Sequence, residues 1–206
     1  YFSLTAPTPS ITVTSPNTGS ESWEIGSTQN ITWSSVNVTD SLKISLYRGG
    51  SYLIDIDSYE YNDGSYTWDI PNYHATTGYY YKIRIEDYSD PSIYDDSYYF
   101  TIETPASITV TTPSSNGESW DDAVDKTIQW TSTGSISNVK ITLYRSSSSS
   151  GTYSYLQSID TSEPNDGSYS WDIPSSLVSS SYYYKIRIED YTDASIYDDS
   201  YYFTIY

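Results

Sequence analysis

Acidic side chains are the first candidates for chemistry in this chain. Glu86-Asp87-Tyr88-Ser89-Asp90 is closely followed by Asp95-Asp96, and Glu189, Asp190, Asp193, Asp198 and Asp199 repeat the set near the C-terminus. Carboxylates grouped with hydroxyls suit a hard cation such as Ca²⁺, which gathers about six to eight oxygen ligands. A bound Ca²⁺ would also relieve repulsion in a chain whose formal net charge is −18. The spacing is not that of an EF-hand loop, because the Gly at its bend and its closing Glu are missing. The same residue types also make turns, since Asp and Ser side chains bond to their own backbone.

Catalysis has little to draw on. There is no Cys, and the single His, His74, has Leu177 at its counterpart later in the chain. A Ser–His–Asp relay needs its His held between two partners, whereas His74 falls in a variable loop. Asp95 and Asp96 have the chemistry for acid–base work on sugars, but they sit in a short hairpin loop with no sign of a cleft. The chain reads as a non-enzyme that requires no cofactor, with Ca²⁺ as the one ion its loops would suit.

The cations are unevenly placed. Eight of the nine, Lys43, Arg48, Lys82, Arg84, Lys140, Arg145, Lys185 and Arg187, fall in segments that read as the third and sixth strands of each half. In an immunoglobulin-like sandwich these strands are neighbours in one sheet. Alternation turns Lys43, Lys82 and Arg84 outward beside Tyr47 and Tyr80, and Lys140, Lys185 and Arg187 beside Tyr144 and Tyr183. Such a face suits contact between identical modules, because complementary fields select register. It equally suits a sheet that neutralises its own acids, where each exposed pair contributes only about 0–1 kcal/mol. Tyrosines add to the contact reading, since there are 26 of them and an outward ring offers apolar area with a polar tip. The six Trp (Trp23, Trp33, Trp68, Trp120, Trp130 and Trp171) fall at core positions of such a fold, although a carbohydrate-binding platform would use the same residue type. Asn30-Ile31-Thr32 and Asn37-Val38-Thr39 are glycosylation sequons that the second half lacks.

The elements that must position these residues come from a tandem repeat. Ser10-Ile11-Thr12-Val13-Thr14 returns as Ser107-Ile108-Thr109-Val110-Thr111, and Asn62-Asp63-Gly64-Ser65-Tyr66 as Asn165-Asp166-Gly167-Ser168-Tyr169. Residues 79–102 and 182–205 differ at two positions only, Ser89/Thr192 and Pro91/Ala194, while a Ser-rich insertion near Ser146–Gly151 belongs to the second copy alone. The apolar period within each copy is 2, as in Leu42-Lys43-Ile44-Ser45-Leu46, which marks antiparallel strands buried on one face. Strands are expected near 11–14, 29–35, 41–48, 52–58, 64–70, 79–87 and 97–103. Seven short strands in a copy of this length describe an all-β immunoglobulin or fibronectin-III-like sandwich, and Tyr81 stands where such folds place a tyrosine corner. Two repeats, 9–104 and 105–206, follow a leading segment, 1–8. In that segment Tyr1-Phe2-Ser3-Leu4-Thr5 resembles Tyr99–Glu103, the close of a repeat. It reads as the end of a preceding repeat or as a strand that pairs with a neighbouring subunit.

The ordered set Ile11-Thr12-Val13, Ser15-Pro16, Trp23, Gly26, Ile31-Thr32-Trp33, Asp63–Trp68, Tyr81–Ile85 and Phe100-Thr101-Ile102 resembles the Kre9/Knh1-type immunoglobulin-like domain of extracellular proteins. The second copy repeats it, with Ala123-Val124-Asp125 in place of Ile25-Gly26-Ser27. The resemblance implies a cell-surface or cell-wall setting and brings no catalytic residue with it.

Composition limits the functions further. The excess of acid excludes a general nucleic-acid binder, which needs a basic face, and lack of Cys excludes disulfide staples and thiolate metal sites. No apolar run reaches the roughly 18–20 residues that cross a bilayer as a helix. The expectation is an extracellular structural repeat protein, part of a filament, stalk or layer, whose partner is itself. A polysaccharide-binding module, or accessory repeats of a larger exported adhesin or enzyme, are the other readings.

Overall fold

A computed structural model describes residues 7–38, 41–73, 76 and 78–206. The chain divides into two compact units between Thr104 and Pro105. His74 and the proposed pairing strand Tyr1, Phe2, Ser3, Leu4 and Thr5 lie outside the described residues.

The first unit runs β1 (Ser10–Ser15), β2 (Ser22–Glu24), β3 (Thr28–Val36), β4 (Ser41–Arg48), β5 (Ser51–Tyr61), β6 (Ser65–Asp69), β7 (Tyr80–Asp87), β8 (Tyr94–Asp96) and β9 (Phe100–Glu103). One sheet has the order β1-β3-β6, and the other β2-β9-β7-β4-β5 with β8 also paired to β7. The second unit repeats this with β10 (Ser107–Thr112), β11 (Glu118–Trp120), β12 (Lys126–Thr133), β13 (Asn138–Ser146), β14 (Ser154–Pro164), β15 (Ser168–Trp171), β16 (Ser179–Asp190), β17 (Tyr197–Asp199) and β18 (Phe203–Ile205). Both units are thus two-sheet β-sandwiches.

The core follows from the period of 2. Leu42, Ile44 and Leu46 of β4 and Tyr81, Ile83 and Ile85 of β7 are buried, as are Ile11, Val13 and Ile31 from the opposite sheet. Each such side chain removed from water contributes about 1.5–3 kcal/mol. All six Trp are buried in the two cores, so none forms a sugar-binding platform. Trp23 packs on Phe100 at 4.5 Å and edge-on to Trp68 at 6.1 Å. Trp33 donates its indole N–H to Asn62 Oδ1 at 2.9 Å, and Trp130 does the same to Asn165 at 2.7 Å.

Two local features set the strand ends. Gly64 has φ +96°, and a Cβ there would stand 3.3 Å from the Trp33 carbonyl oxygen. The Trp33 backbone N–H in turn donates to Gly64 O at 3.0 Å, so the Asn62-Asp63-Gly64 turn presses directly on β3. At the other end Tyr81 makes a tyrosine corner, its hydroxyl donating to Thr76 O at 2.9 Å and accepting from Thr76 N at 2.8 Å. Tyr184 donates likewise to Leu177 O at 2.6 Å.

The sequence expectation differs from the structure at three points. β2 and β11 were not expected, because three residues carry no readable period. Each pairs parallel with the closing strand of its unit, β9 or β18. The expected strand 97–103 is broken: the Ser97 hydroxyl takes the Ile83 N–H at 2.9 Å in place of a ladder bond, and the strand resumes at Phe100. The segment before the break, β8, pairs with β7 as a separate short strand.

Candidate functional site

The outward face of the larger sheet is assembled by parity and register. With Leu42, Ile44 and Leu46 inward, β4 turns out Lys43 and Tyr47; with Tyr81, Ile83 and Ile85 inward, β7 turns out Tyr80, Lys82, Arg84 and Glu86. Register then sets Lys43 opposite Glu86 and Tyr47 opposite Lys82, while Arg84 meets Asp96 and Glu86 meets Tyr94 of β8.

The result is an interlocked ladder of rings and charges. Arg84 grips both Asp96 oxygens, at 2.7 and 3.0 Å, and its guanidinium lies 4.9 Å from the Tyr47 ring centre and 3.9 Å from that of Tyr94. Lys43 stands 3.3 Å from each of Asp55 and Glu86. Lys82 stands 3.6 Å from Asp96 and 4.7 Å from the Tyr99 ring centre. Tyr47 meets Tyr52 edge-on at 5.9 Å. Burial would raise the Asp96 carboxyl, but the Arg84 hydrogen bonds and charge outweigh it and hold it below the usual carboxylate range. The same hydrogen bonds push the Arg84 guanidinium further above its ordinary value.

The second unit rebuilds the ladder. Arg187 grips Asp199 at 2.7 and 2.9 Å between Tyr144 and Tyr197, whose ring centres are 4.8 and 3.8 Å away. Lys140 pairs with Glu189 at 3.0 Å, Tyr144 meets Tyr155 at 6.1 Å, and Lys185 lies over Tyr153 at 5.1 Å. Tyr183 stands with Tyr202 at 5.6 Å. The outward residues named from the sequence, Lys43, Tyr47, Tyr80, Lys82 and Arg84 with Lys140, Tyr144, Tyr183, Lys185 and Arg187, therefore share one face in each unit. Most of the cations are matched within their own sheet, so the face is a neutralised mosaic and not a positive patch. Reading by strand alternation missed Tyr52 and Tyr94, because their neighbours across the sheet are set by register alone.

The acidic cluster is dispersed. Residues 95 and 96 alternate across β8, sending one carboxylate to each face. Asp95 reaches the other sheet and accepts the Val13 N–H at 2.8 Å, where the β1–β3 pairing slips; Asp198 takes the Val110 N–H at the same distance. Asp96 and Asp199 are taken by arginine, and Glu86 and Glu189 by lysine. Asp87 is buried and accepts from the Ser89 and Asp90 N–H groups, and Asp190 accepts from Thr192. Asp90 and Asp193 cap Ser92 and Ser195. The carboxylates proposed for Ca²⁺ thus serve four separate purposes. Among the described residues, no three Asp, Glu or His side chains converge where a metal ion would sit.

Exposed rings surround the ladder. Tyr52, Tyr59, Tyr61, Tyr80, Tyr88, Tyr94, Tyr98 and Tyr99 of the first unit all stand in solvent. Of the sequon asparagines, Asn30 is exposed on β3, and Asn37 is exposed beyond its end at φ +52°.

Known proteins bear on this architecture. The titin I-band fragment I67–I69 superposes with a TM-score of 0.51 at 8% identity, covering 95% of this chain and 64% of that one. DIP-gamma IG1+IG2 gives a TM-score of 0.48 at 10% identity over 97% of both chains. The fibronectin(III)-like modules of Clostridium thermocellum CbhA give 0.31 at 20% identity, over 95% and 93%. At these identities the titin likeness shows a tandem immunoglobulin-type fold and nothing of function. No curated protein matches the chain. The family model described as the Kre9/KNH-like N-terminal Ig-like domain matches residues 15–102 and again 112–205. With two matches that together span nearly the whole sequence, the chain belongs to the Kre9/KNH-like N-terminal Ig-like domain family, which it carries in tandem.

Proposed function

We propose that this chain is a non-catalytic structural module of the cell surface or wall, which associates with copies of itself through the tyrosine-bearing face of its larger sheet. The observation that carries the reading is the ladder, built twice around the same arginine–aspartate grip between two tyrosines and fringed in each unit by rings left in solvent. A ring on a β-sheet loses little conformational freedom when covered and brings large contact area with one polar tip. A family associated with the cell wall and a fold that is typically non-catalytic support the setting. Among the described residues no helix is long and apolar enough to cross a membrane.

Negative-stain electron microscopy of the purified chain tests the proposal. Ordered polymers or arrays that grow with concentration are expected, in chelator as well as in Ca²⁺, because the acidic side chains already have donors within the chain. Discrete particles at every concentration would overturn self-assembly. If such particles show Tyr fluorescence quenching with a soluble cell-wall polysaccharide, the binding-module reading takes its place.

A further inference from the structure

The two units share a ladder but differ at both of its ends, and the two differences go together. In the first unit the β4–β5 connection is the pair Gly49-Gly50, at φ +55° and +83°, which closes the hairpin without a side chain over the sheet end. Below it the rings of Tyr80 and Tyr99 stand 6.2 Å apart and, with Gly19 and Gly49, line an open cleft of about 550 Å³. In the second unit the matching rings are Tyr183 and Tyr202, and the longer β13–β14 connection brings Tyr153 to them. Tyr153 is half-buried, has Lys185 5.1 Å from its ring centre and donates its hydroxyl to Ser149 O at 3.2 Å. Burial first, and then the neighbouring Tyr202 and Tyr183, push its phenol up. The second unit thus shows what such a sheet end accommodates: a tyrosine ring delivered on a Ser/Gly loop beside a lysine.

The other difference lies at the far end of β5. Tyr61 is 73% exposed and Tyr59 is 61% exposed, with Tyr59 set edge-on to Tyr88 at 4.9 Å. Asp57, Glu60 and Asp63 surround them, and burial together with the charges of Asp57 and Asp63 pushes the Glu60 carboxyl up. The second unit keeps acids at the matching positions, Asp160, Glu163 and Asp166, but has Ser162 and Pro164 where the two rings stood. The unit with an open cleft carries an acidic tyrosine tip, and the unit that brings Tyr153 to its sheet end carries no ring there.

Charge joins the two ends. Lys82, behind the Tyr99 ring, shares Asp96 with an arginine that already holds both of its oxygens. Arg48, next to Gly49, bonds Thr76 and lies over Tyr79, and pairs with no carboxylate among the described residues. The cleft end has cations in excess, and the tip has carboxylates in excess.

We propose that the Tyr61 tip of one copy docks in the Tyr80–Tyr99 cleft of a second copy, with Asp57, Glu60 and Asp63 turned toward Arg48 and Lys82. This inference rests on the self-association proposed above and names its contact. The strand rise puts cleft and tip roughly 30 Å apart at opposite ends of one hairpin. The contact is therefore head-to-tail, and it propagates unless the rotation closes a ring.

Sedimentation velocity of the full chain, from micromolar to millimolar concentration at low salt, tests it. The sedimentation coefficient of the unaltered chain is expected to climb with concentration, less so as salt is raised. Tyr61→Ser and Tyr99→Ser should each weaken association by about tenfold or more, as for an aromatic anchor. Both residues are exposed, and an unchanged melting temperature would confirm that the variants fold. Mixing the two variants leaves one intact cleft and one intact tip, so pairs should form and nothing larger. Variants that both assemble like the unaltered chain would overturn this contact while leaving self-association standing. An unaltered chain that stays monomeric throughout would overturn both, and if it also binds a soluble glucose oligosaccharide through Tyr99, the cleft is a sugar site.

Discussion

At the scale of single residues, carboxylates that look like a metal cluster in sequence turn out to be fasteners. Asp95 is the clearest case, because it crosses from β8 to β1 and satisfies a backbone N–H that the slipped β1–β3 pairing leaves over. Replacing it with Ala strands that group in a half-buried position. Asp95→Ala and its counterpart Asp198→Ala should each lower unfolding free energy by about 1–3 kcal/mol, measured by urea denaturation, with no dependence on Ca²⁺. An effect that appears only when Ca²⁺ is present would show instead that the residue is a ligand. Gly64→Ala is expected to cost about 1–3 kcal/mol through its positive φ and the approach to the Trp33 carbonyl. A stability equal to the parent's would mean that the turn relaxes.

At the scale of elements, short loops are held by charge as much as by shape. Glu21 ends the loop between β1 and β2 and accepts N–H bonds from Asn17, Thr18 and Gly19 at 2.8–3.1 Å. Burial would raise its carboxyl, but these bonds, with Thr18 foremost, bring it down to about 2 from 4.5. A carboxyl depressed in the folded state stabilises fully above its unfolded value and loses that contribution as pH falls through the folded one. The stability of the first unit should therefore decline from about pH 4.5 toward about pH 2. Glu21→Gln should be less stable near neutrality and show a flatter decline over that window, read from denaturation midpoints at successive pH values. A parallel decline in both proteins would remove Glu21 as a cause. Asp96 shifts in the same direction and adds to the first unit's slope, while Glu118 gives the second unit a decline of its own.

At the scale of the whole molecule, each unit has its own closed core. Residues from Ile108 to Ile205 form one cluster and those from Ile11 to Ile102 another, each with its Trp trio and its tyrosine corner. Residues 105–206 expressed alone should fold and unfold cooperatively in a calorimeter, because nothing in that core is borrowed. A broad, non-cooperative melt would show that the first unit completes it. The two units differ at the hairpin loop and at the strand end, where the second has the insertion that holds Tyr153 and has Ser162 and Pro164 at the positions of Tyr59 and Tyr61.

Much of this was legible in order of residues alone. A period of 2 between Leu42 and Leu46 places one face in the core whatever the fold, and the repeat fixes two sandwiches by showing that each half has the same strands. The outward placement of Lys43, Lys82 and Arg84 follows from the same parity. Only the tertiary structure decided which residues meet. Parity says that a side chain points out, but register says what stands beside it, and so the partners Asp96, Tyr94 and Tyr99 could not be read from spacing. β2 and β8 are too short to have a period and exist because longer strands offer them an edge. Carboxylates adjacent in sequence were assigned to one ion, yet alternation along β8 parts Asp95 from Asp96 and gives them to different sheets. The hairpin ends of the two units differ by a loop whose composition says little, since a Ser/Gly-rich connection acquires a position only when its one ring finds a lysine and a backbone carbonyl to hold it.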